Sequence, residues 1–184
     1  MTPTNGSMRI EIVARQALTP ARYLETVQLC ERAYDDDDDI AALMREFENA
    51  THVLLIDTRD RLVSHALWVE RRLVYRAGRI RSAYVELVAT DPDRQRQGHA
   101  STVMHAVSSA IASFDIGALS PSEPAFYARF GWEMWRGPLF EQRPDGMTAP
   151  SHPNETVMVL QMPRGPELDL EAPLTAPWRS GEIW

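Results

Sequence analysis

The chain has 184 residues, of which 44% are hydrophobic, enough for one compact domain with a sizeable core and too few for two generous ones. Its formal net charge of −7 has the wrong sign for a nucleic-acid binder, because phosphate neutralisation needs a surplus of Lys and Arg. Such an excess favours a cationic partner, or simply maintains solubility. A single cysteine, Cys30, excludes an internal disulfide and leaves no Cys cluster for a metal. No apolar run approaches the roughly 18 residues of a membrane span. The start MTPTNGS lacks a basic-then-apolar export pattern. Residues 1–8 read as a flexible leader, residues 9–184 as a single domain, and the protein as soluble and cytoplasmic, with no membrane partner.

The first element is a strand at MRIEIVA, where Ile10, Ile12 and Ala14 alternate. Thr19-Pro20 then opens a helix, Thr as N-cap and Pro in the first turn, with Tyr23, Val27, Cys30 and Tyr34 on one face. That face buries Cys30. The aspartate run Asp35 to Asp39 repels itself and reads either as a solvated connection, its last members capping the helix DIAALMREFENA, or as a carboxylate-lined lip for a polyamine. Thr51 to Thr58 and Arg61 to Val69 form a hairpin across Arg59-Asp60. Leu73 to Tyr75 resume an extended run after an interruption at Arg71-Arg72, and Ala77-Gly78 turns the chain.

The stretch from Tyr84 to Phe114 carries most of the chemistry. Tyr84 to Thr90 is a strand with Val85, Leu87 and Ala89 on one face and Glu86 on the other. Asp91-Pro92 ends it, and the basic loop Arg94-Gln95-Arg96-Gln97-Gly98-His99-Ala100 leads into a helix whose apolar residues Ala100, Val103, Met104, Val107, Ile111 and Phe114 recur at helical spacing. The first turn of a helix has N–H groups without partners and partial positive charge, so a glycine-bearing loop feeding it suits a phosphate. The alternative is an ordinary basic helix start. Downstream come a strand at Ile116 to Ser120, a short helix at Ala125 to Phe130 closed by Gly131, and β-like runs at Trp132 to Arg136 and Glu155 to Met162. A proline-bearing tail from Pro163 follows. The order is mixed α/β, an antiparallel meander turning parallel around the central helix.

Gln95-x-x-Gly98-x-Ala100 resembles the pyrophosphate-cradling segment of the GCN5-related N-acetyltransferases (GNAT), and Ala125-Phe126-Tyr127-Ala128-Arg129-Phe130-Gly131-Trp132 resembles a second segment of that family, in the correct order. The stretches Arg71 to Arg76, Tyr84-Val85-Glu86, Gly117 to Ser120, Arg136-Gly137-Pro138, Thr156 to Leu160 and Trp178 to Trp184 further resemble the aminoglycoside 2′-N-acetyltransferases. The first seventy or so residues match less clearly.

The resemblance implies a GNAT fold, a mixed central sheet flanked by helices, in a homodimer that uses acetyl-CoA and no metal. It implies coenzyme contacts from Val88, Ala89, Thr90, Gln95, Arg96, Gln97, Gly98, His99 and Ala100. Glu86 would receive the proton of the attacking amine, and Tyr127 would protonate the departing thiolate. Alternatives are an ion pair with an arginine for Glu86 and packing beside Phe126 for Tyr127. A cationic aminosugar would meet Asp37, Glu86, Leu87, Ser120, Glu155, Glu182 and the carboxylate of Trp184. Three departures lie on the acceptor side. Leu87 stands where relatives usually have Gly, the Ser120 to Tyr127 connection is shorter, and His152-Pro153-Asn154-Glu155 replaces an acidic loop. The expected reaction is acetylation of the 2′-amine of an aminoglycoside, of the kasugamycin type or of the gentamicin and tobramycin class, conferring resistance. The alternatives are another small-molecule or protein amine as acceptor, or a non-catalytic acyl-CoA binder.

Overall fold

The computed structural model describes residues 7–34, 39–152, 154–179 and 184. The expected sites Asp37 and Glu182 lie outside them. The chain falls into two compact units: the described residues of Met1–Trp68 with Leu87–Val107, and Val69–Glu86 with those of Ser108–Trp184.

In the first unit β1 (Arg9–Ala14) pairs antiparallel with β2 (Thr51–Ile56), which pairs antiparallel with β3 (Leu62–Tyr75) through Trp68. The alternation in β1 does not mark a core face, because Ile12 is 49% exposed. Residues 62–68 of β3 are all buried, which explains their near-continuous apolar character. Helix α1 (Pro20–Ala33) starts as expected, the Thr19 hydroxyl accepting from Arg22 N at 3.2 Å, and buries Thr26, Val27, Leu29 and Cys30. Helix α2 (Ile40–Glu46) is capped by Asp39, whose carboxylate accepts from Ala42 N at 2.8 Å. At least one member of the aspartate run is therefore a cap.

β3 continues without a break to Tyr75, so Arg71-Arg72 does not interrupt it as expected. The reason is that Arg71 is buried rather than a solvated break, its guanidinium 4.8 Å from the Tyr84 ring centroid. β4 (Gly78–Thr90) is longer than the expected strand, and its first nine residues belong to the second unit. There β4 runs parallel to β5 (Ile116–Leu119), with Tyr84 opposite Ala118. β9 (Met158–Gln161) pairs antiparallel with β5 and with β6, which is only Glu133–Met134. Three strands occupy stretches that read as loop or tail: β7 (Leu139–Arg143), β8 (Gly146–Thr148) and β10 (Leu174–Pro177). β10 runs parallel to β7 and antiparallel to β3. Leu73, Tyr84, Trp135, Val159, Leu174 and Trp184 share the buried core of this unit. The mixed α/β class and the coexistence of antiparallel and parallel pairs match the expectation.

The central helix α3 (His99–Ala110) ends before Ile111 and Phe114, both of which are nonetheless buried. Helix α4 (Pro124–Ala128) is closed by Gly131 at φ 84, a left-handed conformation that glycine adopts without a Cβ penalty. Among the described residues no helix is long and apolar enough to cross a membrane.

Candidate functional site

The end of β4 and the loop into α3 lie in the first unit. Leu87 sits at φ 49, in the left-handed region, which costs a residue with a side chain roughly 1–2 kcal/mol. A glycine would adopt that conformation freely, which gives a physical reason for the glycine expected in relatives. Three successive carbonyls after Glu86 each accept from a side chain. His65 Nδ1 donates to Leu87 O at 3.0 Å, Tyr34 OH to Val88 O at 3.2 Å, and Ser64 Oγ to Ala89 O at 2.9 Å. The Thr90 hydroxyl, 2.8 Å away, then donates to Ser64 Oγ. None of these partners is charged.

Beyond Thr90 a 3-10 turn, Pro92–Arg94, is opened by the Asp91 carboxylate accepting from Asp93 N at 3.1 Å. Gln95, Arg96, Gln97 and Gly98 are exposed, with Arg96 at φ 60 and Gly98 at φ 84. The Gly98 carbonyl accepts the helical bond from Thr102 N at 3.0 Å, so the N–H groups of His99, Ala100 and Ser101 lack an acceptor within the helix. A Cβ added at Gly98 would meet no atom within 4 Å. Open backbone donors at the start of a twelve-residue helix fit a phosphate group. Ala100 is half-buried, and His99 is buried with its Nε2 3.3 Å from Gln97 Oε1. Burial and then the charge of Arg94 hold His99 below its ordinary value.

Arg94, the first residue of the basic loop, has its Nη1 3.6 Å from Asp57 Oδ2. Burial alone would raise Asp57, but hydrogen bonds from the Arg61 and Arg59 main chain and the Arg61 side chain outweigh it and lower Asp57 to about 2.

The second unit holds Glu86, Ser120, Tyr127 and Glu155. Glu86 Oε1 accepts from Arg179 Nη2 at 2.6 Å, so Glu86 does carry an arginine ion pair, with a partner from the tail. Arg71 lies buried nearby and donates to Pro177 O at 3.0 Å, and burial, followed by the charge of Arg179, lowers it to about 10. Both guanidinium groups approach the Tyr84 ring, at 4.8 and 5.7 Å from its centroid. Tyr127, in α4, is buried and packs edge-on against Phe126 with ring centroids 5.0 Å apart. Burial, aided by Glu123, pushes its phenol up to about 12, so the proton stays on the oxygen at neutral pH. The Ser120 hydroxyl donates to Glu155 Oε1 at 2.8 Å, which brings two expected acceptor residues together. The Trp184 indole is buried, 3% exposed, in the core already described.

Sequence reasoning did not single out Tyr34 for its hydroxyl, nor Ser64, His65 or Arg179. The available signal was a histidine inside each of two apolar strand runs, THVLLI and SHALW.

The sequence matches the acetyltransferase (GNAT) domain over residues 15–135. It is 41% identical over 128 residues to an aminoglycoside 2′-N-acetyltransferase of Mycolicibacterium fortuitum, an alignment covering 67% of this chain and 66% of that relative, just under two thirds of its length. The fold is similar to that of a GNAT family N-acetyltransferase from Escherichia coli solved in complex with CoA, with TM-score 0.62 and 15% identity, covering 86% of this chain and 84% of that one. It is also similar to a GNAT family acetyltransferase from Brucella melitensis in complex with acetyl-CoA, with TM-score 0.60 and 12% identity, covering 94% and 97% of the two chains. The protein belongs to the GNAT acetyltransferase domain family.

Proposed function

We propose that the protein transfers the acetyl group of acetyl-CoA to the 2′-amine of an aminoglycoside, either a compact kasugamycin-type aminosugar or a member of the gentamicin and tobramycin class. The observation that carries the reading is the 41% identity over 128 residues to a relative bearing that activity in its name. The coenzyme supplies an acetyl group activated as a thioester. Residues 95–100 would hold its pyrophosphate through the backbone donors at the start of α3, and Val88, Ala89 and Thr90 would line its acyl arm.

Glu86 is assigned to hold the amine and receive its proton, since an ammonium cannot attack until it is deprotonated. An arriving ammonium competes with Arg179 for this carboxylate. Tyr127 keeps its phenolic proton at neutral pH, the form needed to protonate a thiolate. Ser120 and Glu155, already hydrogen-bonded, offer a polar contact for the sugar. Leu87, which is buried, is kept as an expected acceptor residue only on the resemblance. Asp37, Glu182 and Trp184 remain proposed acceptor contacts.

The test is thiol release from acetyl-CoA across aminosugars with and without a 2′-amine. Turnover is expected only where that amine is present. Turnover of a peptide N-terminus with none of the aminosugars would replace this acceptor by a protein amine.

A further inference from the structure

His52 and His65 are fully buried on adjacent antiparallel strands, and the register, Val53 opposite Ala66, makes them diagonal neighbours on one face. Their ring centroids are 5.1 Å apart. Hydrogen bonding determines where their protons sit. The Leu87 carbonyl can only accept, so His65 Nδ1, 3.0 Å away, carries a proton. Burial, reinforced by His52, lowers His65 well below its ordinary value, so the ring is neutral and its Nε2 is bare. His52 Nδ1, 2.9 Å from that nitrogen, must then donate to it.

His52 is neutral as well, lowered to about 4 by burial and then by the charge of Arg15, which leaves its Nε2 bare. This nitrogen is buried with no hydrogen-bond partner among the described residues, as a lone pair tolerates better than an N–H. Cys30 Sγ lies 3.6 Å from His65 Nδ1, and burial pushes its thiol up to about 12, so it is a neutral neighbour. The order of donors runs from His52 through His65 to the Leu87 carbonyl.

That carbonyl belongs to a residue at φ 49, where the ordinary extended conformation would relieve strain. Because a trans peptide is planar, fixing the carbonyl of one residue fixes the following N–H in the opposite direction. We propose that His65, backed by His52, is a positioning residue for the acyl donor: it locks the Leu87–Val88 peptide plane so that the Val88 N–H is aimed before acetyl-CoA arrives. Tyr34 and Ser64 fix the next two planes in the same way. The inference rests on the acetyl-transfer reading, and on the general rule that donors held in place beforehand cost no reorganisation during reaction.

Calorimetric titration of the wild-type protein with acetyl-CoA and a turnover assay come first. A protein that neither binds nor turns over sinks the acetyl-transfer reading and this inference together. With an active wild type, His65→Leu should lower kcat/KM about a hundredfold, the order of loss for a misplaced reacting group, through kcat and the acetyl-CoA KM, with the aminosugar KM unchanged. His65→Asn, whose amide N–H stands near the position of Nδ1, should restore most of it. Wild-type kinetics in His65→Leu, or no recovery in His65→Asn, overturns the positioning role and leaves acetyl transfer standing. If the leucine variant does not fold, nitrogen NMR of isotope-labelled histidine in the wild type decides. Both rings should be neutral with the proton on Nδ1, and a His65 protonated on Nε2 refutes the assignment.

Discussion

The two units build their functional groups from different materials. In the first, the carbonyls of Leu87, Val88 and Ala89 are held by the neutral donors His65, Tyr34 and Ser64, and the backbone is left-handed at 87, 96 and 98. In the second, Glu86 is held by a guanidinium, with the buried charge of Arg71 close to it, and Ser120 is held by a carboxylate. A donor recognised by main chain needs a rigid cradle. A cationic acceptor recognised by carboxylates instead exchanges one charged partner for another, which leaves those side chains dependent on their counterions. The difference predicts that lesions in the two units separate cleanly in kinetics.

The largest expected effect tests the second unit. Glu86→Gln keeps shape and hydrogen bonding but cannot take a proton, so kcat should fall about a thousandfold, within the range for a general base. Acetyl-CoA affinity, measured by titration, should not change. A parallel loss of coenzyme binding would erase the proposed division of labour. Next comes the cradle. Gly98→Val puts a β-branched side chain at a position of φ 84 and a Cβ on the open side of the loop; the loop should relax, and restoring its conformation on binding costs roughly 1–2 kcal/mol, so acetyl-CoA affinity should drop about thirtyfold. The aminosugar KM should be unaffected.

The two regions also differed in how far the sequence exposed them. Gly98 and the helix after it could be read directly, because a positive φ and a helix start depend on local residue types. The Thr19 cap and the closing Gly131 were readable for the same reason. Pairing of Glu86 with an arginine was foreseeable as a type, but Arg179 lies 93 residues away, and no local pattern encodes so distant a partner. The same holds for Tyr34 on Val88 and for β10, whose Leu-Thr-Ala-Pro looks like tail until β3 and β7 pair with it. Arg71-Arg72 misled for a related reason: a charged pair signals a break only if both side chains reach water, and Arg71 does not.

A pH titration sharpens the comparison further, because the neutral buried histidines His52 and His65 occur in the first unit. Between its ordinary 6.5 and about 4, folded His52 refuses a proton that the unfolded chain accepts. Stability therefore rises with pH across that window and is lost as pH falls through it, by about 2 kcal/mol from about pH 7 to about pH 5 for His52 alone. His65 acts with the same sign. Asp57, lowered to about 2 from its ordinary 3.8, adds a loss of the same sign only below about pH 5, where the unfolded carboxyl begins to take up a proton. Denaturant unfolding across this range should show a flatter slope in His52→Asn, which keeps a donor toward His65 and removes one titrating group. An unchanged slope would mean that His52 is already protonated in the native protein, and the neutral hydrogen-bond chain of the first unit would be lost with it.

The smallest effect falls on the exposed pair in the second unit. Ser120→Ala removes the hydroxyl that donates to Glu155 at 2.8 Å, and since Ser120 is exposed, water can take over much of that bond. Stability should shift by less than about 0.5 kcal/mol, as for other surface substitutions. The aminosugar KM should still rise, about threefold, because Glu155 loses the contact that restrains its rotamer and an acceptor must order it on binding. The acetyl-CoA KM should stay at the wild-type value. If it moves instead while the aminosugar KM does not, Ser120 belongs with the donor, and the assignment of carboxylates to one unit and main chain to the other is wrong at this residue.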